Sequence, residues 1–158
     1  HVDQIYISAN NNLAAYSIYA PVITDVAAYA QRGPLAGIVS LLQNVQQVSS
    51  LAVLPVDLPF LPLNLIPSLA VAASESPSLP RAAFAASVQR DHPLCLFLAD
   101  NVLANLEGYL ASNGRRVQAW LKTVNARRVV FDENPNDFFN INTADDFLVA
   151  QARCHQVG

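Results

Sequence analysis

The apolar and polar positions of the chain follow two different periods, which together predict an α/β fold. Short, almost continuous apolar runs such as residues 50–56 predict strands that are buried on both faces. Apolar side chains at helical spacing after Gly33 predict a helix that begins at Pro34, a residue suited to the first helical turn. Because strands and helices alternate along the sequence, we expect a three-layer α/β sandwich with a mostly parallel sheet.

The same patterns give approximate bounds for the predicted elements. Strands are predicted at residues 2–8, 22–24, 50–56, 82–89, 94–98 and 128–132, with a short extended piece at 138–141. Helices are predicted at residues 13–20, 34–45, 62–72, 101–112 and 115–124, and from Thr143 onwards. Residues 90–93 are expected to connect two strands, and Asn101 and Thr143 are expected to cap helices. We expect residues 1–158 to form a single domain, since their number suffices for one sizeable core.

Composition narrows the function classes. Apolar residues make up 53% of the chain and charged residues 13%, which argues against intrinsic disorder. The net charge is −3 and the basic residues form no stripe, so a nucleic acid is not expected as the main partner. The most apolar stretch, 51–73, is broken by Asp57 and four prolines, so no membrane span is predicted. Cys95 and Cys154 are expected to be free thiols, with Cys95 buried, and no signal peptide is visible, which together predict a cytoplasmic protein.

The strongest local signal for chemistry is Asp57, which directly follows the predicted strand 50–56. Ligands of open α/β sheets bind at the carboxyl ends of the strands. One carboxylate at that edge can hold Mg²⁺ together with waters and substrate phosphates. The pattern is equally consistent with an Asp57 that only caps the turn into the next helix.

A second signal is Asp25, followed by a segment from Gly33 to Gly37 at the start of a predicted helix. A glycine before a helix lets backbone N–H groups face an anion or a base edge. From the pattern alone, the favoured interpretation is an ordinary junction between a loop and a helix, with Gly37 allowing close packing.

Further polar residues are suited to ligand contacts. His92 is expected to be a ligand contact or a turn residue rather than a catalytic base, because the adjacent Asp91 should point to the opposite side. Arg115 can bind phosphate through its guanidinium fork, and Asn140 and Asn142 offer donors and acceptors to the edge of a heterocycle. Taken singly, the Arg and the two Asn residues are more simply interpreted as solvated surface and turn residues.

The order of these motifs along the chain resembles that of the molybdenum-cofactor guanylyltransferase family. The resemblance extends over about residues 5–147 and rests on Ser8-Ala9-Asn10, Asp25, Gly33-Pro34-Leu35-Ala36-Gly37, Pro55-Val56-Asp57-Leu58-Pro59, Arg90-Asp91-His92-Pro93, Arg115-Arg116-Val117 and Phe139-Asn140-Ile141-Asn142-Thr143. The glycine-rich and Asp57 motifs are shared with wider nucleotidyltransferases. The motifs around His92 and Asn140 narrow the match to this family.

The resemblance implies a Rossmann-like fold and an Mg²⁺-dependent transfer of GMP from GTP to molybdopterin or Mo-molybdopterin, with release of pyrophosphate. It implies that Asp57 binds Mg²⁺ and that no protein group acts as a catalytic nucleophile, since such a reaction depends mostly on positioning phosphates. The nucleotide-binding residues that it implies are Ser8, Asn10, Asp25, Gly33, Pro34, Leu35, Gly37 and Asp57. The residues that it places on the molybdopterin side are His92, Arg115, Asn140 and Asn142.

The chain departs from the family pattern at its front. The family begins with a strand and a glycine-rich loop whose Arg and Lys hold the triphosphate, whereas the single lysine here is Lys122. We therefore expect an N-terminally truncated domain that lacks the first central strand, with natural residues before His1. Exposed strand edges would then favour self-association, and this chain alone would not transfer a nucleotide. Base choice stays open, so a cytidylyl- or sugar-nucleotidyltransferase and a non-catalytic pterin-binding module are the alternatives.

Overall fold

Six strands lie in two sheets in the part of the chain that the structure describes. The computed structural model describes residues 2–45, 48–132, 134 and 136–154. The strands are β1 (Ile7–Ser8), β2 (Val22–Ile23), β3 (Leu51–Val53), β4 (Ala82–Ala86), β5 (Asp91–Leu98) and β6 (Arg127–Val130). β1 and β2 form a parallel pair, and the others form a sheet in the order β3-β5-β4-β6, in which β5 alone runs against the other three. The α/β class is confirmed, and the larger sheet is mixed, because both pairings of β5 are antiparallel.

Six α-helices accompany these strands within the described ranges. They are α1 (Leu13–Tyr16), α2 (Pro34–Asn44), α3 (Leu65–Ser74), α4 (Leu103–Ala111), α5 (Val117–Thr123) and α6 (Ala144–Cys154). α2 begins at Pro34 as predicted, directly after Gly33, whose φ of 78° lies in the left-handed region that glycine tolerates. Arg32 donates a hydrogen bond from Nη1 to the carbonyl oxygen of Leu110 at 2.7 Å, which ties the start of α2 to the end of α4.

α6 begins at a reciprocal cap, as the sequence predicted for Thr143. The Thr143 hydroxyl accepts a hydrogen bond from the Asp146 N–H at 3.1 Å, and the Asp146 carboxylate accepts one from the Thr143 N–H at 2.9 Å. The same carboxylate also accepts hydrogen bonds from the Asn142 N–H at 3.0 Å and from the Thr143 hydroxyl at 2.9 Å. The cap expected at Asn101 is wrong by one residue, because Val102 occupies the N-cap position of α4. The Asn101 side-chain oxygen accepts a hydrogen bond from the Leu103 N–H at 2.9 Å and so supports the turn that leads into the helix.

Helices cover both faces of the larger sheet, which confirms the three-layer arrangement. One core packs α2, α4 and α5 against the face that carries Phe84 and Leu96, with Trp120 fully buried. The other core packs α3 against the opposite face, which carries Ala83 and Cys95. Successive residues of a strand point to opposite faces, so β4 supplies both cores. None of the helices in the described ranges combines the length and apolar character needed to cross a bilayer.

Several predicted bounds are wrong. The strands expected at 2–8 and 50–56 are reduced to β1 and β3, and the helix expected from Pro62 begins at Leu65. Residues 91–93 belong to β5 rather than to a connection, so His92 is not a turn residue. The extended piece expected at 138–141 is replaced by a turn over residues 136–138, where Phe138 has a φ of 60°.

Candidate functional site

The polar candidates of the larger sheet meet at one edge. β3, β4 and β6 point in the same direction, so the residues that follow them share an edge with the start of β5. Asp57 follows β3, Ser87 follows β4, and Asp91 and His92 begin β5. Ligands of α/β sheets bind at the carboxyl ends of the strands. Two cavities lie at this edge.

The smaller cavity has a volume of about 180 Å³ and contains Asp57 together with Asn140. Its other lining residues are Pro55, Leu58, Arg90, Asp91, His92, Pro93, Leu94 and Cys95. The Asn140 Oδ1 atom is buried and has no hydrogen-bond partner. The Ile141 N–H donates to the Asp57 carbonyl oxygen at 2.9 Å, which holds the segment of Asn140 against the loop after β3. Two oxygen-bearing side chains, far apart in sequence, are thereby brought to one place.

His92 is a buried residue of β5 whose ring stacks on Phe138, with ring centroids 4.1 Å apart and planes inclined by 11°. Its Nε2 lies 3.3 Å from the Ser87 hydroxyl. Burial lowers the pKa of His92, and the nearby positive charge of Arg90 lowers it further, while Asp91 acts in the opposite direction. The imidazole is therefore held in the neutral form.

Asp91 is not the partner of His92, as the alternation of side chains predicted. Its carboxylate accepts a hydrogen bond from Arg128 Nε at 2.6 Å and another from Gln118 Nε2 at 2.9 Å. The Arg128 hydrogen bond is the main reason why the pKa of Asp91 lies below its usual value. Ser87 in turn accepts from the Arg90 N–H and donates to the Arg90 carbonyl oxygen, both at 3.2 Å, so its hydroxyl closes the turn between β4 and β5.

The larger cavity has a volume of about 390 Å³ and shares Arg90, His92 and Asn140 with the smaller one. Its remaining lining residues are Ser87, Val88, Gln89, Phe131, Asp132, Asn134, Asn136, Asp137, Phe138, Phe139 and Arg153. Phe138 adopts a left-handed backbone conformation, which is strained for a bulky residue. Its N–H donates to the Phe60 carbonyl oxygen at 3.0 Å, and its ring supports His92. Strained residues cluster at ligand sites, which makes the segment around Phe138 a candidate for ligand contact.

A separate cluster gathers four of the expected nucleotide-binding residues at the carboxyl ends of β1 and β2. Asn10 and Asp25 form two hydrogen bonds: Asn10 Nδ2 donates to the Asp25 carboxylate at 2.9 Å, and the Asp25 N–H donates to Asn10 Oδ1 at 2.8 Å. Gly37 lies against Ser8 and near Asp25, and a Cβ atom at Gly37 would overlap the Ser8 hydroxyl. This close approach explains why a glycine stands in the first turns of α2.

The other expected site residues lie at the start of α2, beside Gly33 and at the start of α6. Pro34 and Leu35 form the first turn of α2, where Leu35 is fully buried and therefore packs in the core. Arg115 is exposed, lines neither cavity, and has its carbonyl oxygen 3.7 Å from the position of a Cβ atom on Gly33. Asn142 is exposed and leads into the cap of α6. The structure thus brings His92 and Asn140 together but sets Arg115 beside Gly33.

The described residues offer little support for a protein nucleophile or a ligand-rich metal centre. Cys95 is a free thiol at the smaller cavity, and burial, helped by the charge of Asp57, raises its pKa to about 12. It therefore stays protonated near neutral pH, as expected for a buried cysteine. No group of three or more His, Cys, Asp or Glu side chains suited to a metal ion occurs within the described part of the chain.

Sequence reasoning missed Phe60, Phe139 and Arg153, which meet beside the larger cavity. The Arg153 guanidinium lies over the Phe139 ring at 4.4 Å and over the Phe60 ring at 5.8 Å. The two rings are 6.4 Å apart. A contact between α6, the loop after β3 and the segment after β6 leaves no local pattern. The only available signal was Phe139 beside Asn140 in the motif.

Comparisons with known proteins identify the family of the chain. A family model described as the MobA-like NTP transferase domain matches residues 1–129. A molybdenum cofactor guanylyltransferase of Cupriavidus pinatubonensis is 35% identical in an alignment 162 residues long, which covers 98% of this chain and 75% of that protein. A protein of the same name from Haemophilus influenzae is 32% identical over 146 residues, covering 92% of this chain and 74% of that protein.

A solved structure supports the fold. The molybdopterin-guanine dinucleotide biosynthesis protein A of Archaeoglobus fulgidus superimposes with a TM-score of 0.72, covering 96% of this chain and 78% of that one, at 22% identity. At this identity the likeness concerns the fold alone, and the family assignment rests on the sequence matches. The chain therefore belongs to the MobA-like nucleotidyltransferase family, with molybdenum cofactor guanylyltransferases as its matched relatives.

Proposed function

We propose that this chain carries the metal-binding, nucleotide-binding and molybdopterin-facing residues of a molybdenum cofactor guanylyltransferase. The reaction is the transfer of GMP from GTP to molybdopterin or Mo-molybdopterin, with release of pyrophosphate. The observation that carries the proposal is the meeting of Asp57 and the unpartnered Oδ1 of Asn140 at one cavity, on the carboxyl edge of the sheet. The names of the matched relatives support the same reaction.

Asp57 would hold Mg²⁺. Its carboxylate offers oxygen atoms, the ligands that Mg²⁺ prefers, and one protein carboxylate can hold the ion together with waters and substrate phosphates. When bound, Mg²⁺ would offset charge on the attacking and leaving oxygens of a phosphoryl transfer. Asn140 would face molybdopterin from beside this carboxylate, because a buried amide oxygen without a donor is completed by a ligand. The Ile141 N–H donates to the Asp57 carbonyl oxygen and holds the segment of Asn140 next to Asp57.

The nucleotide half of the proposed site is the cluster around Asp25. The carboxylate of Asp25 can accept hydrogen bonds from the N–H groups of a guanine edge, and Asn10 fixes its orientation through two hydrogen bonds. Gly37 allows Ser8 to approach α2 closely. Gly33, Pro34 and Leu35 would present backbone groups at the start of the helix.

The molybdopterin half of the proposed site is the larger cavity with its shared wall. His92 and Asn140 line both cavities, so they would lie between the metal and the second substrate. Neutral His92 would act as a contact rather than as a proton acceptor, since its ring is stacked on Phe138 and bonded to Ser87. Arg115 and Asn142 stay in the proposal as outer contacts, and Arg115 would have to act from the side of Gly33.

The chemistry needs no protein nucleophile. A terminal phosphate of molybdopterin attacks the α-phosphorus of GTP in line, so the residues of this chain orient phosphates and exclude water. Cys95 is protonated and Ser87 is engaged in a turn, which fits this role division.

These 158 residues do not transfer a nucleotide on their own in this proposal, because the glycine-rich loop with Arg and Lys is not among them. The chain would form a single domain of a cytoplasmic protein.

The chain would also self-associate, because β3 is an edge strand and β1 pairs with β2 alone in the described ranges. Sedimentation velocity at increasing concentrations measures this association.

The test of the proposed reaction is pyrophosphate release from GTP in the presence of molybdopterin and Mg²⁺. The chain alone should release none. A protein in which these 158 residues follow a strand and a glycine-rich loop carrying an Arg and a Lys should release it. Asp57→Asn should then lower the rate at least about 100-fold, because the metal contact is weakened.

Other outcomes would point to the alternatives. Pyrophosphate release from CTP and not from GTP would mean a cytidylyltransferase. Release by neither nucleotide, combined with pterin binding, would mean a non-catalytic module. Turnover by the 158-residue chain itself would contradict the proposed inactivity of this piece.

A further inference from the structure

Arg153, in the last turn of α6, has a buried guanidinium nitrogen that donates no hydrogen bond. Its Nη1 atom is buried and has no hydrogen-bond partner, although the residue lines the larger cavity. A buried donor without an acceptor destabilises a fold, and more so when the group is charged. Natural proteins retain such groups where a ligand, an ion or a water completes them.

Two aromatic rings hold this guanidinium in place. The central carbon of Arg153 lies 4.4 Å from the centroid of the Phe139 ring and 5.8 Å from that of the Phe60 ring. A cation–π contact of this kind supplies no hydrogen-bond acceptor in the sense of a carbonyl or carboxylate oxygen. The rings therefore explain where Arg153 lies, but they do not satisfy Nη1.

The same cavity also contains a buried hydrogen-bond acceptor that has no partner. Asn140 Oδ1 is also buried without a partner. A ligand that completes both atoms must present a hydrogen-bond acceptor to Arg153 and a donor to Asn140. The cavity is lined by two arginines, Arg90 and Arg153, and by two aspartates, Asp132 and Asp137, so its formal charges balance and it does not favour a polyanion.

A planar ring system with an N–H beside a carbonyl has this chemistry. Aromatic side chains line the cavity, and its volume of about 390 Å³ lies within the range of small-molecule sites. We propose that Arg153 is a specificity-determining residue of the larger cavity, which donates from Nη1 to the ring carbonyl of a pterin while Asn140 accepts from the adjacent ring N–H. The inference rests on the proposed function, since it names the part of the second substrate that this site reads.

The test compares two pteridines that differ at this edge. Pterin carries the carbonyl and the adjacent N–H, whereas 2,4-diaminopteridine has an amino group in place of the carbonyl and lacks that N–H. Binding of each to the purified 158-residue chain is measured from the change in pteridine fluorescence. The wild-type chain should bind pterin more tightly than 2,4-diaminopteridine. Arg153→Gln should weaken pterin binding about tenfold or more, as expected for loss of a charged hydrogen bond, and should abolish the preference.

Matched variants separate recognition from folding. Arg127→Gln makes the same change at an exposed position of β6 that lines neither cavity, and it should leave both affinities unchanged. Arg153→Lys keeps a charged N–H donor, and it should retain part of the preference for pterin that Arg153→Gln loses. Thermal unfolding of each variant checks the fold.

The contrary outcomes are distinct. Equal pterin affinities of the wild-type chain and Arg153→Gln would overturn the inference and leave the proposed function standing. If Arg153→Gln lowered the affinities for both pteridines equally, the inference would also be overturned. Arg153 would then support the shape of the cavity without recognising the ring carbonyl. Absence of saturable pterin binding to the wild-type chain would count against the molybdopterin half of the proposed function and the inference together.

Discussion

Two helical glycines differ in how closely other residues pack against them, so they form a matched pair for substitution. A Cβ atom at Gly37 of α2 would overlap the Ser8 hydroxyl, whereas a Cβ atom at Gly108 of α4 would meet nothing within 4 Å. Gly37→Ala should lower the free energy of unfolding by about 1 kcal/mol, the low end of overpacking, because the Ser8 hydroxyl can turn away while the Ser8 Cβ atom must shift slightly. Gly108→Ala should raise it by about 0.5–1 kcal/mol through helix propensity. Urea denaturation measures both, and changes of the same sign would show that close approach of Ser8 does not constrain Gly37.

His92 predicts how stability depends on pH. Burial lowers the pKa of His92 in the folded state, so the unfolded chain binds a proton at a higher pH than the folded chain does. The stabilising contribution is complete above the unfolded pKa of about 6.5 and is lost as the pH falls below it towards the folded pKa. The free energy of unfolding should therefore decrease between about pH 7.5 and 5.5, above the range where aspartates titrate.

The variant His92→Phe isolates this contribution. Phenylalanine can keep the stack on Phe138 but cannot take up a proton. Its free energy of unfolding should vary less between about pH 7.5 and 5.5 than that of the wild-type chain, because all other titrating groups are common to both. Parallel curves would mean that His92 titrates normally in the folded protein.

At the scale of single residues, the sequence located side chains that belong to motifs and missed those that meet only in the fold. Asp57 and Asn140 stood in recognisable motifs, and the structure brings both to one cavity. Arg153 stood in no motif, because its contacts with Phe60 and Phe139 join distant parts of the chain. Arg115 was grouped with Asn140, but its position beside Gly33 depends on how the loop before α5 folds back.

At the scale of elements, α6 shows how a local cap can serve a distant site. Its first turn is fixed by the reciprocal hydrogen bonds of Thr143 and Asp146, and the hydroxyl of Thr143 is the main reason why the pKa of Asp146 is lowered. Arg153 lies in the last turn of the same helix. The cap therefore helps to set where Arg153 reaches the larger cavity.

Loss of this cap should be measurable. Thr143→Ala should lower the free energy of unfolding by about 1 kcal/mol, the usual cost of removing an N-cap hydroxyl. Thr143→Ser keeps the hydroxyl and should lose clearly less. Urea denaturation of the three proteins compares them, and equal losses for Ala and Ser would show that the hydroxyl does not stabilise α6.

Element bounds followed the sequence where local chemistry sets them and departed where tertiary packing does. Pro34 and Thr143 begin their helices as predicted, because a fixed φ and a side-chain cap act locally. β4 is formed by four alanines around Phe84, residues of low strand propensity that are held by burial on both faces. β5 starts at Asp91 because the carboxylate is anchored by Arg128 of β6 and Gln118 of α5, partners that no local pattern reveals.

At the scale of the whole molecule, the two sheets differ in how much they bury. No residue among the described positions 2–34 is buried, although β1 and β2 lie there. The larger sheet is enclosed by both cores. Ser8, Asn10 and Asp25, which are proposed to contact the nucleotide, thus lie on the less enclosed part. Asp57, His92 and Asn140 lie at the carboxyl edge of the more enclosed sheet. The sequence predicted strands in both regions, but the difference in enclosure depends on which helices pack on each sheet.

This difference predicts unequal protection of otherwise similar hydrogen bonds. The amides of Ile7 and Ala9 donate to carbonyl oxygens at 2.9 and 3.1 Å, and those of Ala99 and Phe131 do so at 2.9 Å. Local opening is easier where few apolar contacts must break, so Ile7 and Ala9 should exchange at least about tenfold faster than Ala99 and Phe131 after correction for intrinsic rates. Hydrogen exchange followed by NMR measures all four. Equal protection would mean that the small sheet opens only when the whole molecule unfolds. The packing of Ser8 against Gly37 of α2 would then stabilise the small sheet more than its exposure suggests.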